Sequence, residues 1–461
     1  MTNRAARLSA PEEFPHNLRV EMMPDPDIAP GDILVRVAAC AVCGTDVKKY
    51  FRGHTLIRSY PVTPGHEFSG VVAAVGSRAR EFSVDGDDGM QVRRYAEGNR
   101  MVVAPVVACE RCTNCREGRS EACLAREDIG FNYDGGFAEY VVIPEQVLRK
   151  QIPAVYAIPD SVSLWEAALA EPWACAIHAQ KKVIRYGGWD LATERYCLRE
   201  GFEAEDTVVV LGGGPLGCMH AELAGSLGAG RTVLAQRSEE KLVLAERLGV
   251  ADDFVHNQRS DALKEHVDRI TDGRGADVVI TSCSSAAAQR QTLEIVKQGG
   301  FVSFFGGVTA SEVPLPTNLI HYNGPLLGGT SGASPYHLGV ALNLMAGGKI
   351  DSLKLVTHLL GLDYLEHILL LKGIPRDDIP GYASWDEAAA RLQQEKDEAF
   401  FAPLGVDGRS DTNSHFRHYK DGMLKALVLP WLPAEEGIRN VADLSDVKKQ
   451  DLLAELYRRY H

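Results

Sequence analysis

The chain lacks any apolar run long enough to cross a bilayer, which sets a membrane-spanning reading aside. Its first residues, MTNRAARLSAPEEFP, lack the apolar core of a signal peptide. It also lacks a basic excess: 49 Lys and Arg stand against 62 Asp and Glu, a formal net charge of −13. A nucleic-acid binder needs a positive field, so that class falls away as well. Together these absences lead to the expectation of a soluble, cytoplasmic protein with neither membrane nor nucleic acid as a partner. In that compartment thiols stay reduced, so a dense group of cysteines reads as metal-binding or catalytic before it reads as disulfides.

What is present is a globular composition, 45% hydrophobic and 24% charged. At 461 residues the chain is too long for one compact core, and two domains are expected. Residues 107–123 read VACERCTNCREGRSEAC, placing Cys109, Cys112, Cys115 and Cys123 in a C-x2-C-x2-C-x7-C run. Four thiolates at this spacing can close a tetrahedron around one zinc, with an iron–sulfur cluster as the rival occupant and scattered buried thiols as the bland alternative. The charged neighbours Glu110, Arg111, Arg116, Glu117, Arg119 and Glu121 argue for an exposed lobe. A zinc held by four protein ligands has no open position, so such a site is structural and the chemistry lies elsewhere.

Two shorter stretches offer a second site: AVCGTDVKKY at 41–50 and PGHEFSG at 64–70. Cys43, His66 and Glu67 provide a thiolate, an imidazole and a carboxylate, and three protein ligands plus a water make up the usual catalytic zinc. Each fragment alone is a weak signal, since a lone histidine is more often a structural hydrogen-bonder. In ALAEPWACAIHA at 168–179, Glu171 precedes Pro172, where a helix is expected to start. A carboxylate there can point into a cleft or simply favour the helix terminus. Cys175 and His178 read as packing residues of that helix.

Farther on, DTVVVLGGGPLG at 206–217 joins a β-branched run to a G-x-G-x-x-G turn at Gly212, Gly214 and Gly217, and a helix pattern follows at once. Strand, glycine turn and helix in that order form a dinucleotide cradle, in which the glycines let backbone amides approach a pyrophosphate. RTVLAQ, ADVVITSCSS and GGFVSFFGG read as further strands with helices between them, an α/β doubly wound parallel sheet. Before residue 150, short alternating strands (DILVRVAAC, FSGVVAAVG, RMVVAPVV, FAEYVVI) predict an irregular β-barrel carrying both metal sites.

With these motifs in this order, the chain resembles the zinc-dependent medium-chain dehydrogenase/reductase family, nearest its polyol and sugar branch with the sorbitol and threonine dehydrogenases. The resemblance spans roughly residues 18–370. It rests on V-C-G-T-D at 42–46, G-H-E at 65–67, the four-cysteine run, G-G-F-A-E-Y at 135–140, E-P-W at 171–173 and L-G-G-G-P-L-G at 211–217. It implies a GroES-like catalytic domain (1–172), a Rossmann domain (173–334), and a return to the catalytic domain near THLLGLDYLEHIL with a C-terminal extension (335–461). It further implies a structural zinc on Cys109, Cys112, Cys115 and Cys123, and a catalytic zinc on Cys43, His66 and Glu67 with Glu171 at or near the metal. Thr45 would relay the alcohol proton. Gly212, Gly214, Pro215, Leu216 and Gly217 would hold the cofactor.

By register with the family, Gln236 stands where NAD-binding members carry an acid, and Arg237 and Ser238 follow, which favours NADP over NAD. The implied activity is hydride transfer between a nicotinamide and a secondary alcohol or ketone of a polyol, sugar or similar polar substrate, by a homodimer or homotetramer. A threonine-type amino-alcohol dehydrogenase, a zinc-free quinone or enoyl reductase, and a non-catalytic binding protein on the same fold are the alternatives. Three departures stand out. Lys48 occupies a position where the family often has histidine, and with Lys49 it forms either a solvated pair or a contact for an anionic substrate group. Residues 91–100 and 187–201 read as insertions. About ninety residues follow the expected return, including Ser384 and Glu387 in capping-box spacing and a last helix near LSDVKKQDLLAELYRRY. That tail is read as a cover, an oligomer contact or a lid.

Overall fold

The computed structural model describes residues 3–14, 16–81, 95–259, 261–308, 310–373 and 423–460. Residues 91–94 of the first insertion, Ser384 and Glu387 lie outside them. The described residues divide into two compact units, one made of those up to 174 with 333–373 and 423–460, the other of those in 175–332.

In the first unit, the long buried strand Ile33–Ala41 is the hub of an eight-stranded sheet. It pairs antiparallel with Glu67–Val75, Tyr140–Ile143 and Lys425–Val428. Glu67–Val75 continues to Arg100–Val103 and Val155–Ala157, and Lys425–Val428 lies parallel to Val356–Leu360. The alternation of apolar residues read in the sequence becomes a core that includes Ile33, Val35, Phe68, Val72, Met101 and Val141. Two separated motifs are clamped by backbone: Gly136 N donates to Gly65 O at 2.8 Å and Phe137 N to Pro64 O at 3.1 Å. A Cβ on Gly135 would stand 2.0 Å from Gly65 O, so this approach requires glycine.

The C-terminal extension, expected to be a cover, an oligomer contact or a lid, enters the sheet itself. Lys425–Val428 is an interior strand of the sheet, inserted between Val356–Leu360 and Ile33–Ala41. The expected last helix is present at Asp446–Tyr460. Its buried Lys449 donates to Leu353 O at 2.8 Å, and Tyr457 meets Trp165 and Trp431 at ring distances of 5.5 and 5.3 Å. Residues 423–432 are therefore part of this unit's core, because MLKALVLPWL is apolar enough to be buried on both faces.

The second unit is a six-stranded parallel sheet in the order Asp253–His256, Arg231–Gln236, Thr207–Leu211, Ala276–Thr281, Val296–Phe304, Leu326–Gly329. Numbered along the chain that order is 3-2-1-4-5-6, and its switch point lies at Thr207–Leu211, from which the glycine turn leads off. The 187–201 insertion is an antiparallel ribbon of Ile184–Asp190 and Arg195–Glu200.

Candidate functional site

The four-cysteine run forms a lobe whose base is closed by antiparallel pairing of Val106–Val107 with Glu127–Asp128. Ligand atoms of Cys109, Cys112, Cys115 and Cys123 all lie within 4.8 Å of one another. Glu110 adopts a positive φ of 63°, and its carboxylate accepts from Ile152 N at 2.7 Å, which holds the turn that folds the first two cysteines together. Backbone N–H groups of Leu124 and Cys115 hold the Cys112 thiol down at about 6, while burial and the neighbouring thiols push Cys115 up to about 12. Four sulfurs this close cannot all ionise without a cation among them, so the donor set fits a soft divalent metal.

The second cluster joins Cys43, His66 and Glu67, again within 4.8 Å. Cys43 sits at the N-cap of helix Gly44–Arg52, and Asp46 Oδ2 accepts from its backbone N at 3.0 Å. Glu67 opens the strand Glu67–Val75, so His66 and Glu67 are fixed where the chain enters the sheet. Asp46 Oδ1 lies 3.4 Å from His66 Nδ1 and 3.1 Å from Lys49 Nζ, the place of a carboxylate that orients a ligating imidazole. Burial opposes a charged His66, yet Asp46 and Cys43 outweigh it and raise its pKa well above the ordinary value. The field of this cluster thus favours a cation, as a metal site requires.

Sequence reasoning missed the residues around this cluster. Lys49 is fully buried, donates to Gly130 O at 3.0 Å and lies 3.5 Å from the centre of the Phe131 ring. The reading of Lys48 and Lys49 as a solvated pair is therefore corrected: only Lys48 is exposed, because helix Gly44–Arg52 turns Lys49 inward toward Asp46. Lys425 is buried, ion-paired with Glu67 and within 3.3 Å of Val42 O. Burial and the charge of Lys425 push Lys372 down to about 8. The one signal in the sequence was a lone lysine inside the apolar MLKALVLPWL.

Lys425→Met leaves the buried Glu67 carboxylate without its cation. Breaking a buried pair from one side costs about 3–5 kcal/mol. The expected result is a melting temperature lower by roughly 10 °C, with Lys425→Arg falling much less. A Lys425→Met melt indistinguishable from wild type would show that the pair holds nothing.

Glu171 lies in the first turn of helix Ala170–Lys181, which begins two residues before the expected start at Pro172. Pro172 is tolerated there because first-turn N–H groups have no intrahelical acceptor. The carboxylate is buried and its charge reaches Arg126 and Lys425, but it is not one of the three clustered ligands. His178 Nδ1 is 2.8 Å from Gly332 O, in keeping with a packing role.

In the second unit, Gly214 is the N-cap of helix Pro215–Ser226, with Pro215 and Leu216 in its first turn and no side-chain cap. Gly212 has φ 112°, and a Cβ on Gly217 would sit 1.7 Å from Gly212 O. A Cβ on Gly214 would meet no protein atom within 4 Å. The protein's own packing therefore leaves room at Gly214, beside uncapped helix amides suited to a phosphate. Gln236 ends its strand buried beside Gly213, and its Oε1 accepts from Arg237 N at 2.8 Å. Arg237 is exposed, whereas Ser238 caps helix Glu239–Arg247, accepting from Lys241 N at 3.4 Å.

Residues 29–154 match the alcohol dehydrogenase GroES-like domain, and residues 215–346 match the zinc-binding dehydrogenase domain. A sorbitol dehydrogenase of Bacillus subtilis is 31% identical over 352 residues, 74% of this chain and 87% of its own length. An L-threonine 3-dehydrogenase of a Chelativorans species is 29% identical over 367 residues, 79% of this chain and 94% of its own. A zinc-binding dehydrogenase of Sinorhizobium meliloti, solved bound to NADP, superposes with a TM-score of 0.67 at 26% identity, covering 93% of this chain and all of the other.

Proposed function

The chain belongs to the zinc-dependent medium-chain dehydrogenase family, and from that premise we propose that it oxidises a secondary alcohol of a polyol, sugar or similarly polar substrate, or reduces the matching ketone, with NADP as its preferred cofactor. The observation that carries this reading is the convergence of Cys43, His66 and Glu67 at one point. A zinc held there supplies Lewis acidity that lowers the pKa of the alcohol. The nicotinamide supplies the hydride acceptor.

The remaining work falls to the chain. Thr45, two residues beyond Cys43, carries a hydroxyl that both donates and accepts, and so can take up the alcohol proton and pass it outward. Asp46, held by Lys49, fixes the His66 ring. Lys425 fixes the Glu67 carboxylate and neutralises part of the buried negative charge. Glu171 stands at the position where the polyol branch of the family carries a glutamate, which supports a substrate with further hydroxyl or amino groups. The exposed Lys48 is available to an anionic substrate group. The second zinc, on Cys109, Cys112, Cys115 and Cys123, is structural.

The test is nicotinamide absorbance against a panel of polyols, amino alcohols and simple alcohols, with metal content measured on the same preparation. Turnover of a polar secondary alcohol with two zincs per chain is expected. An active, fully loaded preparation holding one metal would sink the two-zinc assignment, and turnover confined to simple primary alcohols would sink the substrate class.

Cofactor preference rests on Gln236 and Arg237. An acid at position 236 would repel a 2′-phosphate; glutamine does not, and Arg237 offers a charge-assisted bond. Gln236→Asp combined with Arg237→Leu should shift the NADP/NAD ratio of kcat/KM toward NAD by about 100-fold, from one lost charged hydrogen bond plus one new repulsion. A wild-type preference for NAD that Arg237→Leu leaves unchanged would overturn the claim.

A further inference from the structure

The ribbon of Ile184–Asp190 and Arg195–Glu200 projects more apolar surface than its fold can use. Its register sets Tyr186 opposite Leu198 and Trp189 opposite Tyr196, with an irregularity between Tyr186 and Gly188. Opposed residues share a face, and the extra residue at the irregularity lets Tyr186 and Trp189 share one despite their odd spacing. Tyr186, Trp189, Tyr196 and Leu198 therefore line a single face. The rings pack edgewise, Tyr186 to Tyr196 at 5.1 Å and Trp189 to Tyr196 at 5.0 Å. These four side chains remain 45% to 63% exposed, and Leu191 at the tip is 85% exposed.

The face is presented firmly. Arg185 donates to Asp206 Oδ1 at 2.6 Å at the ribbon's base, and Asp190 accepts from Ala192 N and Thr193 Oγ1, each at 2.8 Å, to close its turn. A free two-stranded ribbon is only marginally stable in water, so one built around clustered aromatics calls for a cover.

We propose that the cover is the same face of a second copy of this chain, the two ribbons stacking about a two-fold axis. Area and charge both favour this occupant. An aromatic side chain covers ~150–250 Å², so the exposed parts of these five residues amount to on the order of 500 Å². Two such faces together bury about 1,000 Å², the threshold of a specific interface. The chain as a whole carries a net charge of −13, a field that opposes self-association. Within the ribbon, however, Arg185, Arg195 and Arg199 balance Asp190, Glu194 and Glu200, so two copies meet there without net repulsion.

The experiment is sedimentation equilibrium of the full chain across a micromolar concentration series. Tyr196→Glu and Leu198→Glu should each weaken association at least ~10-fold, halving the mass at intermediate concentrations, while Tyr196→Phe preserves it. Val243→Glu, at an exposed apolar residue elsewhere on the same unit, should leave the mass unchanged. In the unaltered chain, amide exchange across 184–200 should slow as concentration rises. A wild type that stays monomeric, ribbon variants of unchanged mass, an equal loss in Val243→Glu, or exchange independent of concentration would each overturn the proposal.

Discussion

Cys112→Ser should lower the melting temperature of the protein by more than about 10 °C and release one of two zincs. Among the described residues the lobe has little apolar core of its own: Ala108, Cys115 and Cys123 are its buried members, with Cys109, Cys112 and Ile152 packed beside them. Binding free energy at such a site is folding free energy, because the unfolded chain does not present four converging thiolates. Serine keeps the volume but replaces a soft thiolate with a hydroxyl that does not ionise near neutral pH. Zinc stoichiometry and thermal melting on the same sample check this. A variant that keeps both metals and melts with wild type would show that the four sulfurs do not act as one site.

Cys43→Ser should behave in the opposite way. The melt should stay close to wild type while kcat/KM falls about 1,000-fold or more, as expected when a first ligand of the Lewis acid is lost. The fold survives because Asp46 caps the helix through the backbone N of Cys43, which serine retains. Activity should not survive, because a metal at this cluster would keep only His66 and Glu67 of its three converging ligands. Activity, zinc content and far-ultraviolet circular dichroism measured together separate loss of the site from loss of the fold. Near-normal turnover with one zinc missing would move the chemistry away from Cys43.

The sequence by itself determined the motifs whose chemistry is local. Cys109, Cys112, Cys115 and Cys123 lie within fifteen residues, so their meeting needed only a turn. The strand, glycine turn and helix at 206–217 are contiguous, and the alternation of β and α after them admits few topologies. Cys43 and His66–Glu67 were legible as ligand types, and they meet because strands Ile33–Ala41 and Glu67–Val75 pair with Ala41 opposite Glu67.

Tertiary structure alone decided what surrounds the ligands. Lys425 pairs with Glu67 across 358 residues, and no periodicity links a lysine in an apolar strand to a carboxylate so far away. Lys49 reads as a surface cation until helix Gly44–Arg52 turns it onto Asp46, Gly130 and Phe131. The last residues read as a cover, an oligomer contact or a lid until Lys425–Val428 enters the middle of the sheet. The ribbon's apolar face exists only because an irregularity brings Tyr186 and Trp189 to one side. In each case the deciding term is burial and charge pairing between segments remote in sequence, which local pattern does not encode.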